Sequence, residues 1–347
     1  MKTEVMALSK HGGPEVLERQ TVDLPEPGPR EVRVRVRAVA LNRLDLWVRK
    51  GLPNLKLTYP HRLGSDIVGE VDALGPGARG VSAVLGQRVV VNPGVSCGAC
   101  ARCLGGQDNL CPRYAILGEN TQGGYGRHLN VPDANLLPFP DGLTFEEASA
   151  VPLVFLTAWQ MVVRKAEVSA GQTVLVQAGG SGVGSAAIQI AKLMGARVIA
   201  TAGSDEKCRR AKALGADEVI NYREQDFLAE CKSLTSKRGV DVVIEHVGGE
   251  VFEKSVLAAR WGGRVITCGA TAGFTPTMDL RQIFFRQVSV LGSTMGPKGD
   301  LFPILELVAA RRLRPVVGET LSLWEAPKAH AVLENRDVFG KVVLSVD

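Results

Sequence analysis

The sequence predicts an α/β protein with a β-rich first domain and a second domain built on a doubly wound parallel sheet. At 347 residues the chain is longer than one hydrophobic core usually serves, so two domains are expected. Strand-like patterns dominate the first 150 residues, where helical periodicity is scarce. From about Ala170 onward, short apolar strands alternate with helices, which indicates a parallel sheet covered on both faces.

The first domain contains a strand with clear two-residue periodicity, EVRVRVRAVAL at residues 31–41. Its valines fall on one face and its arginines on the other, so we expect one face to contact solvent, as in an antiparallel barrel or sandwich. The run DIVGEVDALGPGARG follows as a strand, a Gly-Pro turn and a loop.

The second domain is predicted from a series of apolar strands, in order QTVLVQA, ARVIATA, DEVINY, VDVVIEHVG, GRVITCGA and VSVLGST. Ser204 is the expected N-cap of the helix SDEKCRRAKALG. The C-terminal part returns to strand, helix and strand, and we expect it to fold back onto the first domain. The predicted boundaries are 1–151 with 301–347 for the first domain and 152–300 for the second.

Composition excludes several functional classes. The net charge of +5 is spread along the chain, so no nucleic-acid partner is expected. The N-terminus has no apolar signal-peptide core, and no run approaches the roughly 18 apolar residues of a membrane span. We therefore expect a cytoplasmic protein without a membrane partner, in which clustered cysteines favour metal binding over disulfides.

Four cysteines in CGACARCLGGQDNLC have the spacing of a metal site: Cys97, Cys100, Cys103 and Cys111. Four thiolates complete a tetrahedral zinc shell and leave no position for a substrate. Because the lobe at about 94–114 has little apolar material, a metal would supply much of its folding energy. The alternative is an empty, reduced cluster.

A glycine-rich turn lies between a strand and a helix in VLVQAGGSGVGSAAIQIAKLMGA. Its candidate cofactor-binding residues are Gly179, Ser181, Gly182, Val183 and Gly184, with Ser181 in the place of the second glycine of G-x-G-x-x-G. Glycine permits a tight turn and close approach to a diphosphate, whose charge the N–H groups at the helix start meet. Repeated β-α units beyond the motif make dinucleotide binding the favoured interpretation over an ordinary turn.

The nucleotide expected is NADP(H), with NAD left open. An acidic residue usually ends the following strand where the ribose lacks a 2′-phosphate, but this strand ends in Ala, Gly and Ser204. Lys207 and Tyr222 are instead available for a phosphate. His246, at the carboxyl end of another strand, is a further candidate for the cofactor site.

The order of these features resembles the medium-chain dehydrogenase/reductase superfamily, which contains the zinc-type alcohol dehydrogenases and the quinone oxidoreductases. The resemblance covers essentially the whole chain and depends on the cysteine lobe and on the runs GGYGRHLNVP, VPLVFLTAW, GSGVGSAAIQIAK and GKVVL. It implies a GroES-like catalytic domain, closed by the C-terminal segment, with an inserted Rossmann domain. It also implies that the four lobe cysteines hold one structural zinc.

The chain departs from this family at the positions that hold its catalytic zinc. Asn42 stands at the cysteine position of C-x-x-D, Ser65 at the histidine of G-H-E, and Leu153 near the third ligand. These side chains do not hold a divalent cation, and nearby His61 is expected to be a loop or packing residue. The quinone oxidoreductase branch shares this loss. The resemblance also implies that Lys207, Tyr222 and Arg336 stand at the positions where that branch binds the 2′-phosphate of NADPH.

The predicted activity is hydride transfer from NAD(P)H to a quinone or an α,β-unsaturated carbonyl without a catalytic metal. Asn42 is the expected amide beside the nicotinamide and the small-molecule substrate, Thr157 contacts the cofactor ring, and Trp47 lines the substrate pocket. Asp45, the remaining catalytic candidate, is expected to order its loop rather than act as a base.

Two alternatives stay open. One is an alcohol dehydrogenase with substitute metal ligands, and the other is a non-catalytic dinucleotide-binding structural or regulatory protein. VSVLGSTMG resembles the strand through which such Rossmann domains pair, so a homodimer or homotetramer is expected.

Overall fold

The computed structural model describes residues 1–80 and 82–347. They form two units, Met1–Leu153 with Pro297–Asp347 and Val154–Gly296. Within the described residues, none of the helices combines the length and the apolar character needed to cross a membrane.

The strands lie along the chain as follows: β1 (Lys2–Leu8), β2 (Leu17–Asp23), β3 (Glu31–Ala40), β4 (Asp66–Leu74), β5 (Arg88–Val91), β6 (Gly94–Val95), β7 (Ala115–Ile116), β8 (His128–Pro132), β9 (Leu136–Pro138), β10 (Thr173–Val176), β11 (Arg197–Ala202), β12 (Glu218–Asn221), β13 (Val240–Glu245), β14 (Ala259–Thr267), β15 (Ser289–Gly292), β16 (Val317–Ser322) and β17 (Lys341–Ser345).

The α-helices are α1 (Arg43–Lys50), α2 (Ala101–Leu104), α3 (Phe145–Ser149), α4 (Pro152–Trp159), α5 (Gly182–Leu193), α6 (Asp205–Ala213), α7 (Phe227–Leu234), α8 (Gly249–Ala258), α9 (Arg281–Phe284), α10 (Leu301–Ala309) and α11 (Ala326–Asn335). A π-helical segment, Gln160–Lys165, continues α4. Short 3-10 turns occur at Pro14–Val16, Asp108–Leu110, Asp133–Asn135, Lys298–Asp300 and Leu323–Glu325.

The main sheet of the first unit runs in the order β16-β17-β3-β4-β5-β9, and β8 also pairs with β3. The C-terminal return expected from the sequence is confirmed, because β17 lies antiparallel to β3 with Leu344 opposite Val39. The valines of β3 are buried, as their period-two spacing predicts.

Arg33 is an exception to the solvent-facing arginine face predicted for β3. It is only 5% exposed, and its guanidinium pairs with Glu26 and donates to the Pro25 carbonyl. The β3–β4 register shifts between Arg33 and Val34 because β4 has one extra residue there, Asp72, whose carboxylate lies 3.8 Å from the Arg33 guanidinium, while the valines on either side of Arg33 stay buried.

The second unit contains a parallel sheet in the order β12-β11-β10-β13-β14-β15. This order starts in the middle and winds outward in both directions, so the prediction of a doubly wound sheet is confirmed. Every residue of β13 is buried, as a strand covered on both faces requires. The predicted N-cap is also confirmed, since Ser204 Oγ accepts a hydrogen bond from the Lys207 N–H at the start of α6.

Candidate active site and metal centre

The loop at the start of α1 is ordered by a buried carboxylate. Asp45 Oδ2 accepts a hydrogen bond from the Asn42 N–H at 2.7 Å, and Asp45 Oδ1 accepts one from the Gly64 N–H at 2.8 Å. Burial raises the pKa of Asp45 to about 6, although both N–H groups act to lower it. Asp45 therefore holds the segments that carry Asn42 and Ser65, which fits its expected role in ordering the loop.

Gly64 allows this close approach of the two segments. Its φ of 92° lies in the left-handed region, and a Cβ at this position would lie 2.5 Å from Tyr125 Cδ1. A larger residue would displace the chain immediately before Asp66.

The Asp66 carboxylate joins Asn42 and Leu153, two of the three positions compared with metal ligands, and Asp66 directly follows the third, Ser65. Its Oδ2 accepts hydrogen bonds from Asn42 Nδ2 at 2.9 Å and Lys341 Nζ at 2.7 Å, and its Oδ1 accepts one from the Leu153 N–H at 2.6 Å. Lys341 Nζ also donates to Asn42 Oδ1. Asp66 is fully buried and Lys341 is 4% exposed, so each charge is compensated mainly by the other and by these hydrogen bonds.

The Asn42 side chain has one amide hydrogen that is weakly used. One hydrogen on Nδ2 goes to Asp66, while the contact of Nδ2 with the Ala40 carbonyl is 3.5 Å long. That length exceeds the usual range of an N–H···O hydrogen bond. The two strong contacts, to Lys341 and Asp66, fix which way the amide faces.

Ser65 and His61 occupy different environments in the same stretch of chain. Ser65 is fully buried, and its Oγ has no hydrogen-bond partner among the described residues. His61 is also buried and places Nε2 3.2 Å from the Gly118 carbonyl oxygen, as expected of a packing histidine.

Three further predicted residues lie on separate helices. Trp47 is half-buried on α1, and Thr157 is buried on α4 in the second unit. Arg336 is the exposed C-cap of α11 and adopts a left-handed conformation with φ of 61°. The roles proposed for them remain predictions.

The four lobe cysteines form a compact thiol cluster. Their Sγ atoms all lie within 4.8 Å of one another, and Cys97 Sγ is 3.8 Å from Cys103 Sγ. A tetrahedral zinc with Zn–S bonds of about 2.3 Å separates its sulfurs by about 3.8 Å, so the residues fit a structural zinc. Backbone N–H groups, that of Ala99 foremost, lower the pKa of Cys97 to about 5, which favours the thiolate.

The lobe is connected to the rest of its unit through Asp108. Asp108 Oδ2 accepts a hydrogen bond from Ser96 Oγ, and Oδ1 accepts the Lys298 N–H at 2.8 Å. Lys298 Nζ then donates to Asn135 Oδ1 at 2.8 Å. We therefore expect zinc binding in the lobe to stabilise this connection.

The glycine-rich turn of the second unit has the form of a diphosphate cradle. Ser181 caps α5, and its Oγ accepts the Gly184 N–H at 2.9 Å. A Cβ at Gly184 would lie 2.3 Å from the Ala178 carbonyl oxygen, so helix and strand approach closely only with glycine here. Gly182 and Val183 form the half-buried first turn of α5, whose free N–H groups are suited to an anion.

The end of β11 lies beside two predicted nucleotide-binding residues. Tyr222 is 45% exposed, and a Cβ at Gly203 would lie 2.5 Å from its hydroxyl oxygen. Asp205 begins α6, and its Oδ1 accepts a hydrogen bond from Asn221 Nδ2. The first carboxylate after β11, that of Asp205, is therefore held at the start of α6 by Asn221. Lys207 lies in the first turn of the same helix.

Sequence reasoning missed Lys341, which links Asn42 to Asp66. The run GKVVL was noted only as a family motif. A lysine beginning an otherwise apolar, buried strand is a detectable sign, because lysine is almost never buried without a partner. The backbone N–H of Leu153 was also missed, since only its side chain was considered.

Two family models match the chain. Residues 28–141 match the alcohol dehydrogenase GroES-like domain, and residues 182–310 match the zinc-binding dehydrogenase family. The two matches cover parts of both units and agree with the predicted fold class.

Curated relatives match over nearly the full length. An NAD-dependent alcohol dehydrogenase of Sulfolobus acidocaldarius is 31% identical, covering 99% of both chains. An acryloyl-coenzyme A reductase of Metallosphaera sedula is 32% identical, covering 99% of this chain and 100% of that protein. A human quinone oxidoreductase is 28% identical, covering 96% of this chain and 94% of that protein.

A solved structure described as an NAD-dependent alcohol dehydrogenase is 56% identical, with full coverage of both chains and a TM-score of 0.95. The likeness extends over both units, and the four proteins are named as two NAD-dependent alcohol dehydrogenases, a quinone oxidoreductase and an acryloyl-coenzyme A reductase. The chain therefore belongs to the medium-chain dehydrogenase/reductase superfamily and is an NAD(P)-dependent oxidoreductase.

Proposed function

We propose that the protein reduces quinones or α,β-unsaturated carbonyl compounds with NAD(P)H and without a catalytic metal. The observation that carries this proposal is the buried cluster in which Asn42, at a position that the resemblance assigns to a zinc ligand, is held by Asp66 and Lys341.

The donor set of this cluster does not fit zinc as a Lewis acid. An amide, a hydroxyl and an alkyl side chain stand at the three ligand positions, and the Asp66 carboxylate is already paired with an ammonium. A shared metal needs several cysteine, histidine or acidic side chains close together. Within residues 1–80 and 82–347, the group that meets this condition is the four-cysteine cluster of the lobe. A divalent cation would have to displace Lys341.

The chemistry suited to such a site places negative charge on a conjugated oxygen. Hydride would add to the β-carbon of an enone, the π electrons of the carbon–carbon double bond would shift towards the carbonyl oxygen to give an enolate, and solvent would protonate the α-carbon. A reduced nicotinamide, when bound, would supply that hydride and leave as NAD(P)⁺. An unactivated alcohol has no comparable delocalisation and gains more from a metal.

Asn42 and Ser65 are the residues proposed to meet the developing oxyanion. The second hydrogen on Asn42 Nδ2 makes only the long contact to Ala40, so it is available to a substrate oxygen. Lys341 on the amide oxygen strengthens that donor by polarisation. The buried Ser65 hydroxyl, which has no partner in the described chain and directly precedes Asp66, is the second proposed donor.

We infer a preference for NADPH over NADH. Its support is the absence of a carboxylate at the end of β11 and the position of Tyr222 beside Gly203. Two relatives are instead named as NAD-dependent enzymes. Comparing the KM for NADPH with the KM for NADH therefore tests the inferred preference. Lys207→Met is expected to raise KM for NADPH about 10-fold and to leave KM for NADH within about 2-fold.

The defining experiment measures NADPH and NADH oxidation with quinones, enones and an enoyl thioester, together with metal content. Turnover is expected with at least one of these acceptors in protein that contains one zinc per chain. The acryloyl-coenzyme A reductase makes the thioester a sensible member of the panel. Failure to oxidise either nucleotide with every acceptor would overturn the proposal.

The second candidate is an alcohol dehydrogenase, favoured by the names of the 56% identical structure and the archaeal relative. It predicts NAD(P)⁺ reduction by alcohols and a second zinc whose removal abolishes activity. Finding two zinc ions per chain would favour this reading.

We also propose that the protein is a homodimer or homotetramer and that it is cytoplasmic. The unpaired edge of β15 is the surface proposed for self-association. Reduced thiols in the lobe fit a cytoplasmic location, where disulfides are rare.

A further inference from the structure

We propose that His246 is a positioning residue for the cofactor diphosphate, because it determines which group Ser181 offers to a bound anion. Ser181 Oγ already accepts the Gly184 N–H at 2.9 Å. His246, just after β13, places Nε2 2.9 Å from the same Oγ. The inference depends on the chain's NAD(P) dependence but not on which acceptor it reduces.

The hydroxyl of Ser181 has one proton and two acceptor lone pairs. The Gly184 N–H uses one lone pair, so the contact with His246 has two possible arrangements. If Nε2 donates, both lone pairs are used and the hydroxyl proton is directed to another partner. If Nε2 accepts, the proton is used and a lone pair remains outward.

A bound diphosphate distinguishes these arrangements. The start of α5 carries N–H groups and the positive end of the helix dipole, both of which favour an anion. A lone pair on Ser181 facing that anion would repel it, whereas the hydroxyl proton adds a further donor. Cofactor binding therefore selects the His246 tautomer with a proton on Nε2. In this way the hydroxyl of Ser181, which stands at the second glycine position of the motif, donates a hydrogen bond to the diphosphate.

The segment that carries His246 is held in place before any cofactor binds. Glu245 is fully buried, and its Oε1 accepts the N–H groups of Val247 at 2.6 Å and Gly248 at 2.8 Å. Its Oε2 accepts a hydrogen bond from Thr267 Oγ1 at 3.2 Å. These contacts fix the backbone on either side of His246, which is itself 8% exposed.

The test is the dissociation constant of NADPH and NADH, measured by nucleotide fluorescence without an acceptor substrate. His246→Leu is expected to raise Kd about 5- to 30-fold, since a hydrogen bond to a charged group is lost. His246→Gln keeps an N–H donor of similar reach and is expected to stay within about 3-fold of wild type. In turnover assays the loss should appear in KM rather than in kcat.

A double-mutant cycle separates positioning from general destabilisation. In a Ser181→Gly background the hydroxyl is absent, so adding His246→Leu should change Kd by less than about 2-fold. An equal rise in Kd from His246→Leu in both backgrounds would overturn the proposal, as would no rise in either.

A measurement on wild-type protein covers the case in which His246→Leu does not fold. Ring nitrogen NMR of ¹⁵N-histidine protein identifies His246 by comparison with His246→Gln. The NADPH complex is expected to show a protonated Nε2 on this ring, and an unprotonated Nε2 in the complex would contradict the mechanism. Because no acceptor is present, this outcome is independent of the proposed reductase activity.

Discussion

At the scale of single residues, Lys341 brings a positive charge to Asn42, which stands at a position that the sequence resemblance assigns to a ligand of a catalytic zinc. Its ammonium contacts the amide oxygen of Asn42 and the carboxylate of Asp66, both of them buried. A fixed cation acting through an amide is a weaker electrophile than a divalent metal. It suits acceptors whose negative charge is already delocalised.

We expect Lys341→Met to lower kcat for enone or quinone reduction about 10- to 100-fold, because the Asn42 amide loses its polarising partner. The variant also leaves Asp66 as an unpaired buried charge, which costs about 3–5 kcal/mol of stability. Lys341→Met/Asp66→Asn removes both charges and is the matched control. It should regain most of the thermal stability and remain slow. Full recovery of kcat in the double variant would show that the lysine serves folding alone.

A second residue-scale prediction concerns acid stability and His330. Its Nδ1 is 3.2 Å from Arg49 Nη1, and its Nε2 is 3.0 Å from the Tyr125 hydroxyl. Burial, with Arg49 adding to it, lowers the pKa of His330 from 6.5 to about 3. The unfolded chain therefore binds a proton below pH 6.5 that the folded chain refuses, and stability falls as the pH drops from 6.5 towards 3.

Asp45 acts in the opposite direction over part of that range. Its pKa rises from 3.8 unfolded to about 6 folded, so its contribution to stability falls as the pH rises from 3.8 to 6. We expect Asp45→Asn to steepen the acid loss of unfolding temperature and His330→Gln to flatten it. The measurement is calorimetry between pH 4 and 7.5 at constant ionic strength. Parallel curves for all three proteins would contradict both assignments.

The sequence predicts the local parts of these sites and misses their long-range contacts. The four cysteines lie within one short run of sequence, and so does the turn from Gly179 to Gly184. The sequence spacing of these residues is therefore enough to predict that they lie close together. Lys341 and Asn42 are 299 residues apart and meet only through the β17–β3 pairing. The contact of His246 with Ser181 depends likewise on the strand order, which motifs alone do not specify.

At the scale of elements, the cysteine lobe has little apolar packing of its own, so we expect a bound zinc to supply much of its stability. Of its four cysteines only Cys111 is buried, and α2 has no buried residue. The contacts that join it to its unit pass through Asp108, which lies between Cys103 and Cys111 in the chain.

We expect Cys103→Ser to lose most of its zinc and to lower the unfolding temperature by about 5 °C or more. Hydrogen exchange should quicken in the lobe and at Lys298, whose N–H donates to Asp108, while β13 stays protected. Cys208→Ser, at a buried thiol on α6, is the control and should retain its zinc. Loss of enone reduction without loss of fold in Cys103→Ser would instead give the lobe a part in catalysis.

At the scale of the whole molecule, the β15 edge of the parallel sheet is the surface that we propose for pairing with a second copy. β15 pairs with β14 on one side only within the described chain. Beside it, large apolar side chains are exposed, with Trp261 at 66%, Phe285 at 62% and Phe284 at 58%. The Gly262 N–H donates to the Arg286 carbonyl, which brings the part of β14 that carries Trp261 close to the segment that follows the two phenylalanines. A second copy pairing across this edge would cover both the strand and the apolar patch.

Val290→Lys is therefore expected to abolish the proposed self-association and leave monomers, because a lysine in the middle of an edge strand opposes strand pairing. The substitution replaces a side chain that is 39% exposed, so the fold of the single chain should tolerate it. Val84→Lys, at a position 58% exposed in the first unit, is the control and should leave the mass unchanged. Sedimentation or light scattering of both variants gives the answer. A wild-type monomer, or a Val290→Lys protein of unchanged mass, would place self-association elsewhere or exclude it.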